Sequence, residues 1–167
     1  LFLRLDRRPR NASSGTMRLK LPEPMLLAFN EAEAAAARGE VPVGAAIVDR
    51  SGAILASAGN RTLELKDPTA HAEMLVIRAA ARILGSERLV GCDLYVTLEP
   101  CAMCAAAVSL ARLRRLYFAA EDEKMGAVEH GPLIFGQPTC HHRPDVYGGI
   151  GEERSRILLR EFFSSKR

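Results

Sequence analysis

Three residues in two short runs restrict this chain more than anything else in it. They are His71, in His71-Ala72-Glu73, and Cys101 and Cys104, in Pro100-Cys101-Ala102-Met103-Cys104. One imidazole and two thiols form a donor set suited to zinc, and with no fourth protein ligand at comparable spacing the fourth position is left to water. Glu73 is the acid that a hydrolytic site of this kind needs to move protons. Any fold of the chain must therefore bring two distant runs to one point. Cys101 and Cys104 are three apart and share one face of a helix. Pro100 suits the first turn of that helix, whose positive end favours thiolate over thiol. His71 and Glu73 are two apart, which on a regular helix is about 200°. They converge only if His71 sits at a helix start and points over its end, and Asp67-Pro68-Thr69 offers caps for that start. The expectation is two helix N-termini meeting at one metal.

Read alone, Cys-x-x-Cys also fits a redox pair or a closed structural zinc site. Together with the proline and the upstream His-x-Glu, it resembles the signature of the zinc nucleobase deaminases.

The remaining composition is that of one globular domain. At 167 residues, 48% apolar and 26% charged, the chain can bury a substantial core, and no apolar run approaches membrane-spanning length. A net charge of +3 permits a nucleic-acid partner without demanding one. Cys92 and Cys140 are left over from the metal set. A disulfide between them stays open on sequence, while thiolate-ligated zinc points to a reducing cytoplasm. Residues 1–16, from Leu1-Phe2-Leu3-Arg4 to Asn11-Ala12-Ser13-Ser14-Gly15-Thr16, have a transit-like composition but carry Asp6 and lack a secretory apolar core. We read them as a poorly packed extension or an upstream start before Met17, with residues 17–167 as the single domain.

In chain order, Pro22 and Glu23 open a helix with Met25, Leu26, Phe29, Ala32, Ala36 and Ala37 at helical spacing, closed by Gly39. Strands over 43–48 and 54–58 flank a Ser51-Gly52 turn and form a hairpin. The His71 helix runs to about Leu84 and a strand spans 93–98. The Cys101 helix runs to about Leu113, and a further strand covers 116–119. Strand, helix and strand with short links predict a right-handed parallel crossover, with Cys101 at the strand's carboxyl end, where such sheets place their sites. Glycines and prolines punctuate 126–151 too often for long elements. Within that stretch Cys140-His141-His142 is a weak second metal candidate, lacking a further ligand nearby. An amphipathic helix over 152–163 offers Ile157, Leu158, Phe162 and Phe163 for burial.

Pro42-Val43-Gly44-Ala45, Gly59-Asn60-Arg61, the run from Asp67 to Glu73, Tyr95 to Cys104, Asp122 to Ala127 and Leu158 to Phe163 together resemble the bacterial tRNA-specific adenosine deaminases of the cytidine deaminase superfamily. The likeness covers about residues 22–163. It implies an α/β fold, a three-layer α/β/α sandwich around a mixed sheet of about five strands, and a homodimer. It also implies one zinc per chain on His71, Cys101 and Cys104, Glu73 as proton shuttle, and conversion of a tRNA wobble adenosine to inosine. By position, Asn60 would contact the flipped nucleoside, and Asp122 and Lys124 would lie near the anticodon stem-loop. Residues 129–147 depart from the family pattern. Arg112, Arg114, Arg115, Arg154, Arg156 and Arg160 supply more positive charge than a free base requires and would suit phosphate contacts. Two other readings share the metal residues: a deaminase of free bases or nucleosides of guanine or cytosine type, and a zinc-stabilised RNA-binding module without chemistry. Glu73 speaks against the second, since a structural zinc has no use for it.

Overall fold

The computed structural model describes residues 20–167, so the reading of residues 1–16 as an extension lies outside the described residues. The first helix, α1 (Glu23–Ala37), starts behind Pro22, with Pro24 in its first turn, where a missing amide costs nothing. It buries Met25, Ala28, Phe29, Ala32 and Ala35, one stripe at three- and four-residue spacing. Gly39 takes φ 83° and turns the chain away.

The next strands, β1 (Gly44–Val48) and β2 (Ile54–Gly59), pair antiparallel. Asp49 shapes their turn by accepting the amides of Ser51 and Ala53 at 2.8 and 3.0 Å. All five residues of β1 are buried, as its central place requires. After α2 (Ala72–Leu84) comes β3 (Asp93–Leu98), antiparallel to β1. Then α3 (Ala102–Leu110) crosses to β4 (Arg115–Ala120), parallel to β3. The sheet order is β2-β1-β3-β4-β5, closed by a parallel edge strand β5 (Asp145–Tyr147). The last helix is α4 (Glu152–Ser164).

Two cores make three layers. On one face Val76, Ala80 and Val108 from α2 and α3 pack on Ile47, Leu94, Val96, Leu116 and Phe118. On the other, Met25, Ala28 and Phe29 pack with Ala119, Tyr95 and Tyr117. The expected α/β/α sandwich with a five-stranded mixed sheet is the observed fold. Among the described residues no helix is long and apolar enough to cross a membrane.

Close contact between α1 and the hairpin rests on missing side chains. A Cβ at Gly44 would lie 1.9 Å from the Ala28 carbonyl oxygen, and one at Gly59 would lie 2.4 Å from that of Glu31. The Gly44→Ala protein should therefore melt roughly 6–12 °C lower, from about 3 kcal/mol of overpacking in a domain of this size. Thermal denaturation checks it, and an unchanged midpoint would mean that α1 backs away freely.

Two expectations need correcting. The Cys101 helix ends at Leu110, short of Leu113, because Arg112 takes φ 58° and breaks the ladder. The punctuated stretch, as expected, holds short elements, β5 and a 3-10 turn, Ile134–Gly136. On α4 the fully buried residue is Ser155, whose hydroxyl donates to the Thr97 carbonyl, while Ile157 and Phe163 are 38% and 52% exposed.

Candidate metal centre and cavity

Both helix starts reach the same point. His71 is the N-cap residue of α2, in extended backbone (φ −71°, ψ 152°), and Cys101 is the N-cap residue of α3. Because His71 stands outside the helix, its ring can share a site with Glu73, one residue into the first turn. That resolves the two-residue spacing. Cys104 lies in the first turn of α3 and is fully buried.

The loop before α2 is tied locally. Asp67 accepts from the Thr69 amide and hydroxyl at 2.8 and 2.7 Å, a turn that orients His71. The amide of Ala72 is capped from a distance, by the Asn60 side-chain oxygen at 2.8 Å. The Asp67–Thr69 stretch thus builds the turn, and Asn60 supplies the cap. Asn60 is itself held where β2 ends, its amide donating to the Val43 carbonyl.

The Nδ1 atom of His71 lies 3.7 Å from Cys101 Sγ and 3.6 Å from Cys104 Sγ. A tetrahedral zinc with Zn–S about 2.3 Å and Zn–N about 2.0–2.1 Å sets its nitrogen and sulfur ligands about 3.6 Å apart. The donor set and its spacing fit zinc. Among the described residues this is the group whose ligand atoms gather, within 4.8 Å of one another. The hydrogen bond from Cys104 holds the Cys101 thiol down at about 4, against the opposing effect of burial and with help from His71. Cys104, facing that sulfur and buried, is pushed up. One sulfur is thus ready to bind, and a cation at the centre would displace the proton that the other keeps.

Glu73 is 4% exposed and its Oε2 has no hydrogen-bond partner among the described residues. Burial lifts its carboxyl to about 7, a carboxyl matched to giving and taking protons at neutral pH. It borders a cavity of about 170 Å³ together with Val43, Asn60, His71, Asp122 and Met125. A wider, open groove of about 780 Å³ lies elsewhere, between Leu21 and the start of α4, and contains neither histidine nor cysteine.

Of the residues predicted to meet substrate, Asn60 and Asp122 line the cavity and Lys124 does not. The Asp122 carboxylate accepts the amides of Lys124 and Met125 at 3.0 and 3.1 Å, so it shapes its own turn. Among the described residues Cys140-His141-His142 gathers no metal set. His142 Nε2 bonds the Leu113 carbonyl at 2.6 Å, and Cys140 Sγ lies 3.4 Å from the Ser109 hydroxyl. Cys92 and Cys140 are both free thiols.

The arginines divide. Arg115 opens β4 opposite Asp93, while the cavity lies beyond the other end of β3, past Leu98. Arg114 forks onto Asp93 at 2.8 and 2.7 Å, Arg154 pairs with Glu33, and Arg156 pairs with Glu152. These three are engaged within the chain, which weakens the phosphate-contact reading of the arginine count.

Sequence reasoning passed over two buried acids, Glu40 and Glu99. Each stands alone at the edge of an apolar run, a signal that burial with dedicated donors would explain. Glu40 accepts the Leu63 and Glu64 amides, each at 2.9 Å, and the Thr62 hydroxyl at 3.2 Å, bracing the loop beside Asn60. Burial alone would raise its pKa. Those donors, with Arg38, hold it below the usual carboxylate range. A depressed folded value means that this stability is present above the unfolded pKa of about 4.3 and is lost as pH falls through the folded one. The Glu40→Gln protein should melt below wild type at pH 7 and converge with it in acid. Parallel melting curves at pH 7 and pH 3 check the sign.

A family model described as the cytidine and deoxycytidylate deaminase zinc-binding region matches residues 20–120. A tRNA-specific adenosine deaminase of Agrobacterium fabrum is 60% identical over 143 residues, spanning 86% of this chain and 93% of that one. A solved structure, from a study of A-to-I editing by tRNA:A34 deaminases at the wobble position of transfer RNA, superposes with a TM-score of 0.80 at 60% identity, covering 81% of this chain and 98% of that one. The guanine deaminase of Bacillus subtilis is more distant, at 32% identity and a TM-score of 0.58, covering 86% and 95% of the two chains.

Proposed function

The chain belongs to the cytidine and deoxycytidylate deaminase family and, within it, to the tRNA-specific adenosine deaminases, and from that premise we propose that it converts a tRNA wobble adenosine to inosine. The observation that carries the chemistry is Glu73, a buried carboxyl with one oxygen unpartnered beside His71, Cys101 and Cys104. These three residues would hold one zinc. When bound, zinc supplies a Lewis acid that makes water a nucleophile near neutral pH. Glu73 then carries protons. Its Oε2 takes one from the attacking water and delivers it to the purine N1, then takes the second from the hydroxyl now bonded to C6 and passes it to the amino group, which leaves as ammonia when the C6–N bond breaks. Adenosine and water become inosine and ammonia.

The cavity supports a flipped base. At about 170 Å³ it is smaller than the about 300–1,000 Å³ of pockets that enclose a whole drug-sized ligand. It takes the base and leaves ribose and phosphates outside. A single-stranded anticodon loop yields such a base at low unstacking cost. In this reading Asn60 and Asp122, which line the cavity, would touch the base or its sugar, and Lys124, exposed on the turn, would meet the anticodon stem-loop backbone. The free thiols suit a reducing cytoplasm.

The working unit is a homodimer. Met103, Ala106, Ala107 and Leu110 form a stripe on α3 that the described chain buries only in part, with Leu110 77% exposed. Light scattering should give twice the chain mass, and Leu110→Arg should halve it.

The decisive assay offers the zinc-loaded protein an adenosine-containing anticodon stem-loop beside free adenosine, cytidine and guanine, with products read by mass spectrometry. Inosine should form in the stem-loop alone. Turnover of guanine with an untouched stem-loop would overturn the RNA reading and leave the zinc chemistry in place.

A further inference from the structure

Two buried acids border the same cavity and are treated in opposite ways. Glu73 keeps an oxygen unpartnered. Glu99, with a side chain 0% exposed, has both of its oxygens committed. Its Oε1 accepts the amides of Val128, Glu129 and His130 at 3.1, 2.8 and 3.1 Å. Its Oε2 accepts the Asp122 amide at 2.9 Å and faces His130 Nδ1 at 2.8 Å. A carboxylate so occupied has no part in proton transfer.

What it holds is the wall of the cavity. The donors come from both ends of one loop, residue 122 on one side and residues 128–130 on the other. Between them the chain wraps around the carboxylate. A Cβ at Gly126 would lie 2.5 Å from Glu99 Cδ and 2.3 Å from the Asp122 carbonyl oxygen, so only glycine permits the approach. The same loop is stitched to the metal run, with Gly126 bridged to Cys101 and the Ala127 amide donating to the Pro100 carbonyl at 2.9 Å. Met125 and Asp122 are thereby set at the cavity, although Met125 is 69% exposed and gains little from packing.

We propose that Glu99 is a positioning residue, a buried carboxylate that fixes the 122–130 loop as one wall of the substrate cavity. The inference rests on the cavity being the substrate site, as proposed above. The residue type matters, because only a carboxylate accepts at both oxygens. In Glu99→Gln one oxygen becomes an NH₂ that faces the Asp122 N–H, donor against donor.

The test compares Glu99→Gln and His130→Ala with wild type by zinc content, steady-state kinetics and amide hydrogen exchange without substrate. Glu99→Gln should keep one zinc and most of kcat but raise KM about tenfold, the weight of one lost positioning interaction. The amides of Asp122 and 128–130 should exchange faster while those of β3 and α3 stay protected. His130→Ala removes one donor of five and should shift both readouts the same way by less, and it decides the matter if Glu99→Gln does not fold. Unchanged loop exchange and KM overturn the proposal. Lost zinc with a collapsed kcat overturns it too, since Glu99 would then act through Cys101. Kinetics are run on whichever substrate wild type deaminates in the panel above. A failed stem-loop reading therefore shows in wild type, and a failed Glu99 reading shows in the variants.

Discussion

A zinc-loaded Glu73→Gln protein is expected to lose deamination by about 10²–10⁴-fold or more, the range a general acid–base group contributes, while keeping its fold and its metal. Two features of Glu73 drive the size. It occupies the second position of α2, beside a ligand but outside the 3.6–3.7 Å contacts that tie His71 to the two sulfurs. It is also buried with an oxygen that nothing in the described chain satisfies. An amide fills the same space and cannot take a proton. Because an unpartnered buried carboxylate costs stability, the glutamine protein should melt no lower than wild type. Zinc content, melting temperature and single-turnover inosine formation separate the outcomes. Wild-type turnover in the metal-loaded variant would remove Glu73 from the mechanism, and lost zinc would make it a support for the ligands.

Cys104→Ala should do more damage by a different route. Cys104 is fully buried in the first turn of α3 and supplies one of three donors. With two protein ligands left, zinc should dialyse away and activity should fall to background. Stability should fall as well, because a metal bound only by the folded chain adds its binding free energy to folding. The cluster joins α2 to α3 across 30 residues, from His71 to Cys101. A fixed link across a loop of that length is worth about 3–4 kcal/mol on the chain-entropy account. Chelating the metal from wild type should lower its melting temperature towards that of Cys104→Ala and leave the variant unmoved. A chelator-insensitive wild type, or full zinc in the variant, would falsify the ligand assignment.

What could be read beforehand was the part written in local spacing. His71 outside its helix and Cys101 and Cys104 on the start of theirs follow from residue offsets, and β3 has its expected ends because a strand-prone run, Leu94-Tyr95-Val96-Thr97-Leu98, lies between Asp93 and Glu99-Pro100. The end of α3 was illegible, since Arg112 adopts a left-handed backbone with no glycine or asparagine to announce it. So was β5, three residues between Pro144 and Gly148 that owe their strand geometry to β4 alone. Periodicity also misjudged α4, where the contact that anchors the helix is a serine hydroxyl on the Thr97 carbonyl. At the site, Glu73 was legible through its neighbour. Glu40 and Glu99 were not, because their donors lie 22–24 and 23–31 residues away and non-local hydrogen bonds leave no local pattern. Asn60 was placed only by resemblance. Its cap on Ala72 gives it a second duty, so changing it disturbs the presentation of His71 along with any contact to substrate.

The two halves of the cavity come from different kinds of structure. The reactive half stands on two helix starts, one of them fed directly from β3, and another part of the wall is a loop pinned by one side chain. Such a division separates what must not vary from what can. A lineage of copies could exchange the side chains at 123–125, ahead of the ties that Gly126 and Ala127 make to the metal run, and so admit a new nucleobase or a different flanking strand with the reactive groups left in place. It also gives a protein engineer a rule for library construction: diversify the turn, keep Glu99 and Gly126 as its fixed posts, and leave the two helix starts alone.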